Sequence, residues 1–295
     1  MKTTVLCSFK NLIECWNQFN DGYTGTHYST RRVHRGPRGN GAVGNGRAAP
    51  LASACADPAL AEQLRDRRAE HRTPQNPAAK RGDGFALLAE QRRWGLLYNL
   101  PIRPWGALLI SVVALDLAVY LQHVMFHAVP ALWRVHRVHH SDLDFDVTTG
   151  ARFHPIEIGL SMLIKLGAVG ALGASALAVL AFEVLLNATS MFNHGNVRVS
   201  LKHDRYLRWF VVTPDMHRVH HSILVQETNS NFGFNLPWWD WLLGTYRDQP
   251  AAGHGAMTIG IEQFRDAREL RLDRMLLQPF RGPTGAYAIT WRNAA

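Results

Sequence analysis

Two long apolar runs organise the C-terminal two thirds of the chain. Residues 105–121 are interrupted only by Ser111 and Asp116. As a helix rising 1.5 Å per residue this run reaches about 25 Å, slightly short of a ~30 Å hydrocarbon core, and it spans when its ends lie in the interface. The helix is expected to continue through His127 and stop ahead of Pro130. Residues 156–191 form the longest run, with Glu157, Lys165 and Glu183 as their only charges. That is too long for one crossing, and the middle reads Gly167-Ala168-Val169-Gly170-Ala171-Leu172-Gly173. The pattern predicts a helical hairpin that turns near this glycine-rich centre, or a re-entrant pair that dips in and returns. Its small residues suit close packing in lipid. The fold class expected is all-α: an integral membrane helical bundle carrying a polar, histidine-rich cap.

The cap lies in the interruptions. His123 and His127 make an HxxxH pair, and His-Arg-Val-His-His occurs twice, at residues 136–140 and 217–221. On a helix, residues three and four apart share a face, so HxxxH and HxxHH each project paired imidazoles. Neutral imidazole is the commonest metal-binding side chain near pH 7. Eight such groups (His123, His127, His136, His139, His140, His217, His220, His221) exceed what one ion of four to six ligands takes, so the count points to two metals. The two copies must then lie on one side of the membrane, which an even number of crossings between them provides.

The spacing closely resembles that of the fatty acid hydroxylase/sterol desaturase superfamily. The likeness extends to Trp133-Arg134, Ser141-Asp142, the stretch from Arg152 to Glu157, Asn193-His194-Gly195-Asn196, the stretch from Thr213 to Met216, Asn231-Phe232-Gly233 and the stretch from Trp239 to Tyr246. It covers roughly residues 85–280. The resemblance implies a membrane-bound non-haem di-iron oxygenase that hydroxylates or desaturates a lipid C–H bond. Its cofactors would be two Fe ions, with O₂ as co-substrate and the histidine boxes on the cytoplasmic face. It also implies His194 as a ninth ligand. Some members have a second histidine four residues away; Ser190 stands there, so water, Asn193 or Asn196 is expected in its place. By the same analogy His123, His127, His136 and His139, completed by His220, serve one metal. His140, His194, His217 and His221 serve the other. The chain has no haem, flavin or iron–sulfur motif, so a separate cytochrome b5-like or ferredoxin-like electron donor is implied.

Three further groups are candidates around the centre. Asp116 lies two helical turns before His123, either orienting an imidazole or sitting at a helix contact. Asp142 could accept the second N–H of a ligand histidine. His154 is a weaker ligand candidate, since His-Pro after a loop is often structural. No HExxH occurs, which argues against a zincin-type hydrolase.

Composition sharpens the picture at the N-terminus. The net charge is +9, and residues 1–84 carry 13 Lys/Arg against 7 Asp/Glu. They are rich in Gly, Ala and Pro, lack helix or strand periodicity, and read as a disordered basic segment. Family members have apolar helices at this position, so a non-native reading of the segment is one expectation. With it comes the alternative of an inactive or merely metal-binding membrane protein. No signal peptide is read at residues 1–20. The basic balance fits a membrane surface, and no nucleic-acid module is present. Cys7, Cys15 and Cys55 form no CxxC pair, which gives no disulfide framework or thiolate site. The basic, aromatic stretch 197–216 suits an interfacial segment. Residues 250–280 are expected to hold one amphipathic segment at 264–277, followed by a C-terminal tail at 281–295. The substrate class stays open: sterol, fatty acyl, sphingoid, carotenoid and ether lipid all fit.

Overall fold

The computed structural model describes residues 77–289. The three cysteines and the basic segment up to residue 76 lie outside these residues. Among the described residues the secondary structure is helical, without strands; the one β-type pairing is an isolated bridge between Ser222 and Ile259.

Helix α1 (Pro77–Gln91) precedes the first long apolar run and starts eight residues ahead of Phe85. Helix α2 (Pro104–Ala128) is 25 residues long, about 37 Å, and runs through both histidines of HxxxH. Pro104 at its first turn has no N–H to lose there. Val129 is extended, ends α2, and is also the N-cap of α3 (Pro130–His140), which again opens on proline. The chain thus changes direction between two histidine-bearing helices.

The predicted hairpin is present as α4 (Pro155–Leu172) and α5 (Ala176–Asn193), each of 18 residues, about 27 Å. The turn falls at the end of the glycine-rich stretch rather than in its middle. Gly167 and Gly170 remain helical, and Gly173 takes the left-handed conformation (φ 73°) that ends α4. Ser175 then caps α5, its hydroxyl accepting from the Ala178 amide. α2, α4 and α5 are each long and apolar enough to cross a membrane. Leu109, Leu163, Leu177 and Val184 are exposed on them, as lipid contact requires. Inside, α2 packs on both hairpin helices, and α1 packs on the same two. Leu115, Val169, Val179 and Phe182 form the shared core with Ala86.

Short elements follow. Helices α6 (Leu201–Leu207), α7 (Pro214–His220), α8 (Val225–Thr228) and α9 (Trp238–Leu242) lead to α10 (Leu272–Leu277). The expected amphipathic segment at 264–277 is not one helix. Phe264 has φ 61°, a 3₁₀ turn covers Ala267–Leu270 under an Asp266 cap, and extended Arg271 separates it from α10. Residues 281–289 are also not a free tail. Trp133 stacks on Tyr287 at 5.5 Å, and the buried Arg137 donates to the carbonyls of Gln278, Arg281 and Pro283. The Ile289 amide donates to His127 O at 2.9 Å. These contacts draw the segment against the histidine-bearing helices.

Gly173 faces the Trp94–Gly95 corner, and a Cβ on it would sit 2.5 Å from the Trp94 carbonyl oxygen. Gly173→Ala therefore combines a left-handed backbone costing roughly 1–2 kcal/mol with a backbone clash. We expect it to lower the melting temperature of the detergent-purified protein by several degrees. Gly159→Ala, which meets nothing within 4 Å in mid-α4, should leave it unchanged or raise it. Equal melting temperatures for the two variants would contradict this account of the turn.

Candidate metal centre

The three long helices deliver histidines to one end of the bundle. His123 and His127 lie on the last turns of α2, His194 caps the end of α5, and α3 and α7 carry the two five-residue boxes. The two crossings of the hairpin return the chain to the side from which it left. Helix α7 is fixed locally. Thr213 accepts from the Met216 amide, Pro214 opens the helix, and Asp215 sits in the first turn, where the dipole favours an acid.

All nine histidines expected as ligands are buried and fall into two groups. In one, ring nitrogens of His123, His127, His136, His140 and His220 lie within 4.8 Å of one another; in the other, those of His139, His194, His217 and His221 do. The groups adjoin, with the rings of His140 and His221 stacked at 4.6 Å. This exchanges His139 and His140 relative to the division implied by analogy. Residues 139 and 140 both share a face with His136, so spacing alone does not separate them. In the fold His140 Nε2 lies 3.2 Å from His136 Nε2, while His139 stacks on Phe153 at 4.4 Å and turns towards His194.

The ring tautomers are set by what surrounds them. The Nδ1–H of His123 donates to Phe232 O (2.9 Å), that of His139 to Thr149 O (3.0 Å), that of His194 to Ser190 O (2.9 Å) and that of His220 to Ser230 O (2.8 Å). His127 donates to Asn229 Oδ1 (3.0 Å), whose amide is oriented because its NH₂ donates to Tyr287 O. His136 donates to the Glu157 carboxylate at 2.6 Å. Each acceptor has no proton to give, so these six rings turn an Nε2 lone pair inward. His139 Nε2 and His194 Nε2 then face each other at 3.4 Å as two lone pairs. The Nε2 atoms of His123, His127, His220 and His221 are buried without a hydrogen-bond partner. Protonation does not relieve this. Burial first, and neighbouring imidazoles second, hold His139, His140, His217, His220 and His221 well below the usual histidine range, while burial pushes His194 down to about 4. Two groups of buried, mostly inward-facing nitrogen donors fit two borderline-soft cations.

The other expected residues stand further out. Asp116 accepts from Trp239 Nε1 (2.8 Å) and the Leu236 amide (3.3 Å); two turns down α2, it orients no imidazole and ties the helix to the segment leading into α9. Asp142 pairs with Arg152 and accepts from the Thr149 hydroxyl at 2.9 Å, so it acts on His139 only through Thr149. His154 stands outside both groups: its Nδ1 accepts from the Ile156 amide as the cap of α4, and its Nε2 faces Leu276 O at 3.3 Å. Asn193 donates to Phe234 O and keeps a buried Oδ1 without a partner, and exposed Asn196 accepts from Arg218.

Four residues matter that sequence reasoning gave no role. Glu157 and Asn229 bond ligand-type histidines directly. Asn231 (φ 52°) bonds Met216 O and Arg247 O, and Asp240 accepts from the Phe232 and Gly233 amides and the Thr245 hydroxyl. Together they hold the loop whose Ser230 and Phe232 carbonyls receive His220 and His123. Burial pushes Asp240 up to about 6. A carboxyl in the first turn of an apolar helix was the available signal for Glu157.

A cavity of about 350 Å³ opens beside the histidines, between α2, α4 and α5. His123, His136 and His139 line one end, and Phe126, Met162 and Leu186 are among its apolar walls.

The depressed histidines give a pH dependence. A histidine that stays neutral when folded but protonates when unfolded costs stability as pH falls below the unfolded value near 6.5. For His194 the loss starts there and continues down to about 4, and the other depressed histidines add to it in the same direction. The chelator-treated protein should lose several degrees of melting temperature between pH 7 and pH 5. Loss of His194, tested as His194→Asn, should flatten part of that slope, and a flat wild-type profile would contradict the burial argument.

The comparisons with known proteins agree with this geometry. Residues 108–245 match the family described as fatty acid hydroxylase. Ornithine lipid hydroxylase OlsE of Rhizobium tropici is 31% identical over 141 residues, covering 48% of this chain and 42% of that protein. Alkylglycerol monooxygenase of Xenopus tropicalis is 27% identical over 157 residues (50% of this chain, 33% of that protein), and the Homo sapiens protein is 27% identical over 156 (51% and 33%). The matches thus span less than half the length of these relatives. No solved structure matches. The helical bundle and the two histidine groups agree with this match: residues 108–245, just under half of the chain, are similar to the fatty acid hydroxylase family.

Proposed function

We propose that the chain is a membrane-bound di-iron monooxygenase that hydroxylates an alkyl chain of a lipid, with its histidine boxes on the cytoplasmic face. The observation that carries this reading is the pair of adjoining histidine groups, lone pairs inward, at the end of a cavity between lipid-facing helices. His123, His127, His136, His140 and His220 would hold one iron; His139, His194, His217 and His221 would hold the other. Bound there, the irons supply what no side chain here can, the activation of O₂ with two electrons from an external donor. Hydroxylation is favoured over desaturation because the named relatives are a hydroxylase and monooxygenases.

The chain's own residues perform the remaining tasks. The apolar cavity wall takes up an alkyl chain from the bilayer and excludes water. Phe126 and Phe153 flank the histidine end, and there the lipid C–H is brought beside His123, His136 and His139. Glu157 holds the proton on His136 Nδ1 and makes that imidazole a stronger donor. The Phe232, Ser230 and Thr149 carbonyls hold His123, His220 and His139 in the same way. Glu157→Gln keeps an acceptor but removes the charge, so iron affinity should fall roughly 10–100-fold. Iron retention against a graded chelator checks this, and retention equal to wild type would refute the role.

The reaction is tested by growing cells that express the chain under ¹⁸O₂ and following the label in extracted lipid. The expected result is a lipid carrying one ¹⁸O, absent with the His139→Ala/His220→Ala variant. A product two hydrogens lighter without label would mean desaturation. No oxygen-dependent product from an iron-loaded protein would favour an inactive or metal-binding chain.

A further inference from the structure

The cavity has a second end. Lys165 on α4 and Glu183 on α5 both line it, and the two side chains form an ion pair. They are the only charged groups within the hairpin apart from Glu157, which belongs to the histidine site. Lys165 lies eight residues from Glu157, about 12 Å along the helix axis. That places the pair deep within the span, where ionisable groups are costly and mark function by default. A pair serving only to join α4 and α5 would be packed between them. These side chains instead remain 18% and 24% exposed and front the cavity. The adjoining wall is polar too. Gln122 donates to the Ser161 hydroxyl at 2.9 Å, and Asn187 lines the cavity one turn beyond Glu183.

From this arrangement, and resting on the proposed function, we infer that the Lys165–Glu183 pair with Gln122, Ser161 and Asn187 is the binding subsite for an uncharged polar group of the lipid substrate. The chemistry selects the class. Lys165 retains ammonium protons beyond the one given to Glu183, and Glu183 retains a carboxylate oxygen. The pair as a whole is neutral. It therefore matches a group that both accepts and donates, such as a hydroxyl or amide. A free carboxylate would have to displace Glu183, and a plain hydrocarbon would leave the pair unsatisfied. The substrate is accordingly a lipid with a hydroxyl or amide set one medium-length alkyl segment away from the carbon that is hydroxylated, and the subsite fixes which carbon that is.

The test uses the full chain, iron-loaded, in a nonionic detergent, with 1-dodecanol, dodecanoate and dodecane as probes at equal concentration. Ligand binding to the folded state raises the melting temperature. We expect dodecanol to raise it by several degrees more than either other probe in wild type. That preference should vanish in Lys165→Met/Glu183→Leu, which removes both charges together, and persist in the swapped pair Lys165→Glu/Glu183→Lys. Iron content is measured on each sample. Equal shifts for the three probes, or an undiminished dodecanol preference in the Met/Leu variant, would overturn the subsite. A protein that shows the preference but holds no iron would overturn the proposed function and leave the subsite standing.

Discussion

The structure is built around a crowd of inward-facing lone pairs that a bound cation would relieve. Nine imidazoles are packed at one end of a helical bundle, and six have their Nδ1 protons committed to acceptors on the outside. Their inner nitrogens can only accept. Water at this density of acceptors would be outnumbered, and protonating the rings would place like charges together in a buried volume. A bound metal would remove the conflict, and binding to a site that exists only in the folded chain would stabilise the fold itself.

The surrounding architecture follows from that demand. Acceptors must be rigid to hold a ring, and most here are backbone carbonyls. The loop carrying Ser230 and Phe232 is locked by Asn231 and Asp240, and Thr149 is locked by Asp142. The C-terminal segment closes the outer side: Tyr287 stacks on Trp133 and orients Asn229, which holds His127. The membrane helices set the distance between this cap and the lipid. α2, α4 and α5 frame the largely apolar cavity that reaches His123, His136 and His139.

The sequence revealed the histidines because their spacing is a property of side chains on helices. HxxxH and the repeated HxxHH identified eight of the nine clustered residues directly, and the family likeness supplied His194. The apolar runs located α2 and the hairpin, although the turn falls at Gly173, the end of the glycine-rich stretch, while Gly167 and Gly170 stay helical and Gly170 packs against Phe85. What stayed hidden was of two kinds. Backbone acceptors such as Phe232 O and Ser190 O have no sequence signature, since any residue offers a carbonyl. The assignment of His139 and His140 depended on a rotation of about 100° between successive residues, which spacing relative to His136 does not resolve. Asp116 shows a related limit: it shares a face with His123 but stands two turns away, and of its two readings the structure has the contact, to Leu236 and Trp239. The tail beyond residue 280 looked polar, yet Arg134 and Arg137 bind its carbonyls, an interaction set by tertiary contact alone.

The most direct test of the central claim is iron stoichiometry with Mössbauer spectroscopy on the full chain purified in detergent. The account predicts roughly two irons per chain in a coupled pair, as in other two-metal sites. His217→Ala and His127→Ala should each disturb a different iron of the pair. A single isolated iron, or a folded protein that binds no metal at any loading, would contradict it.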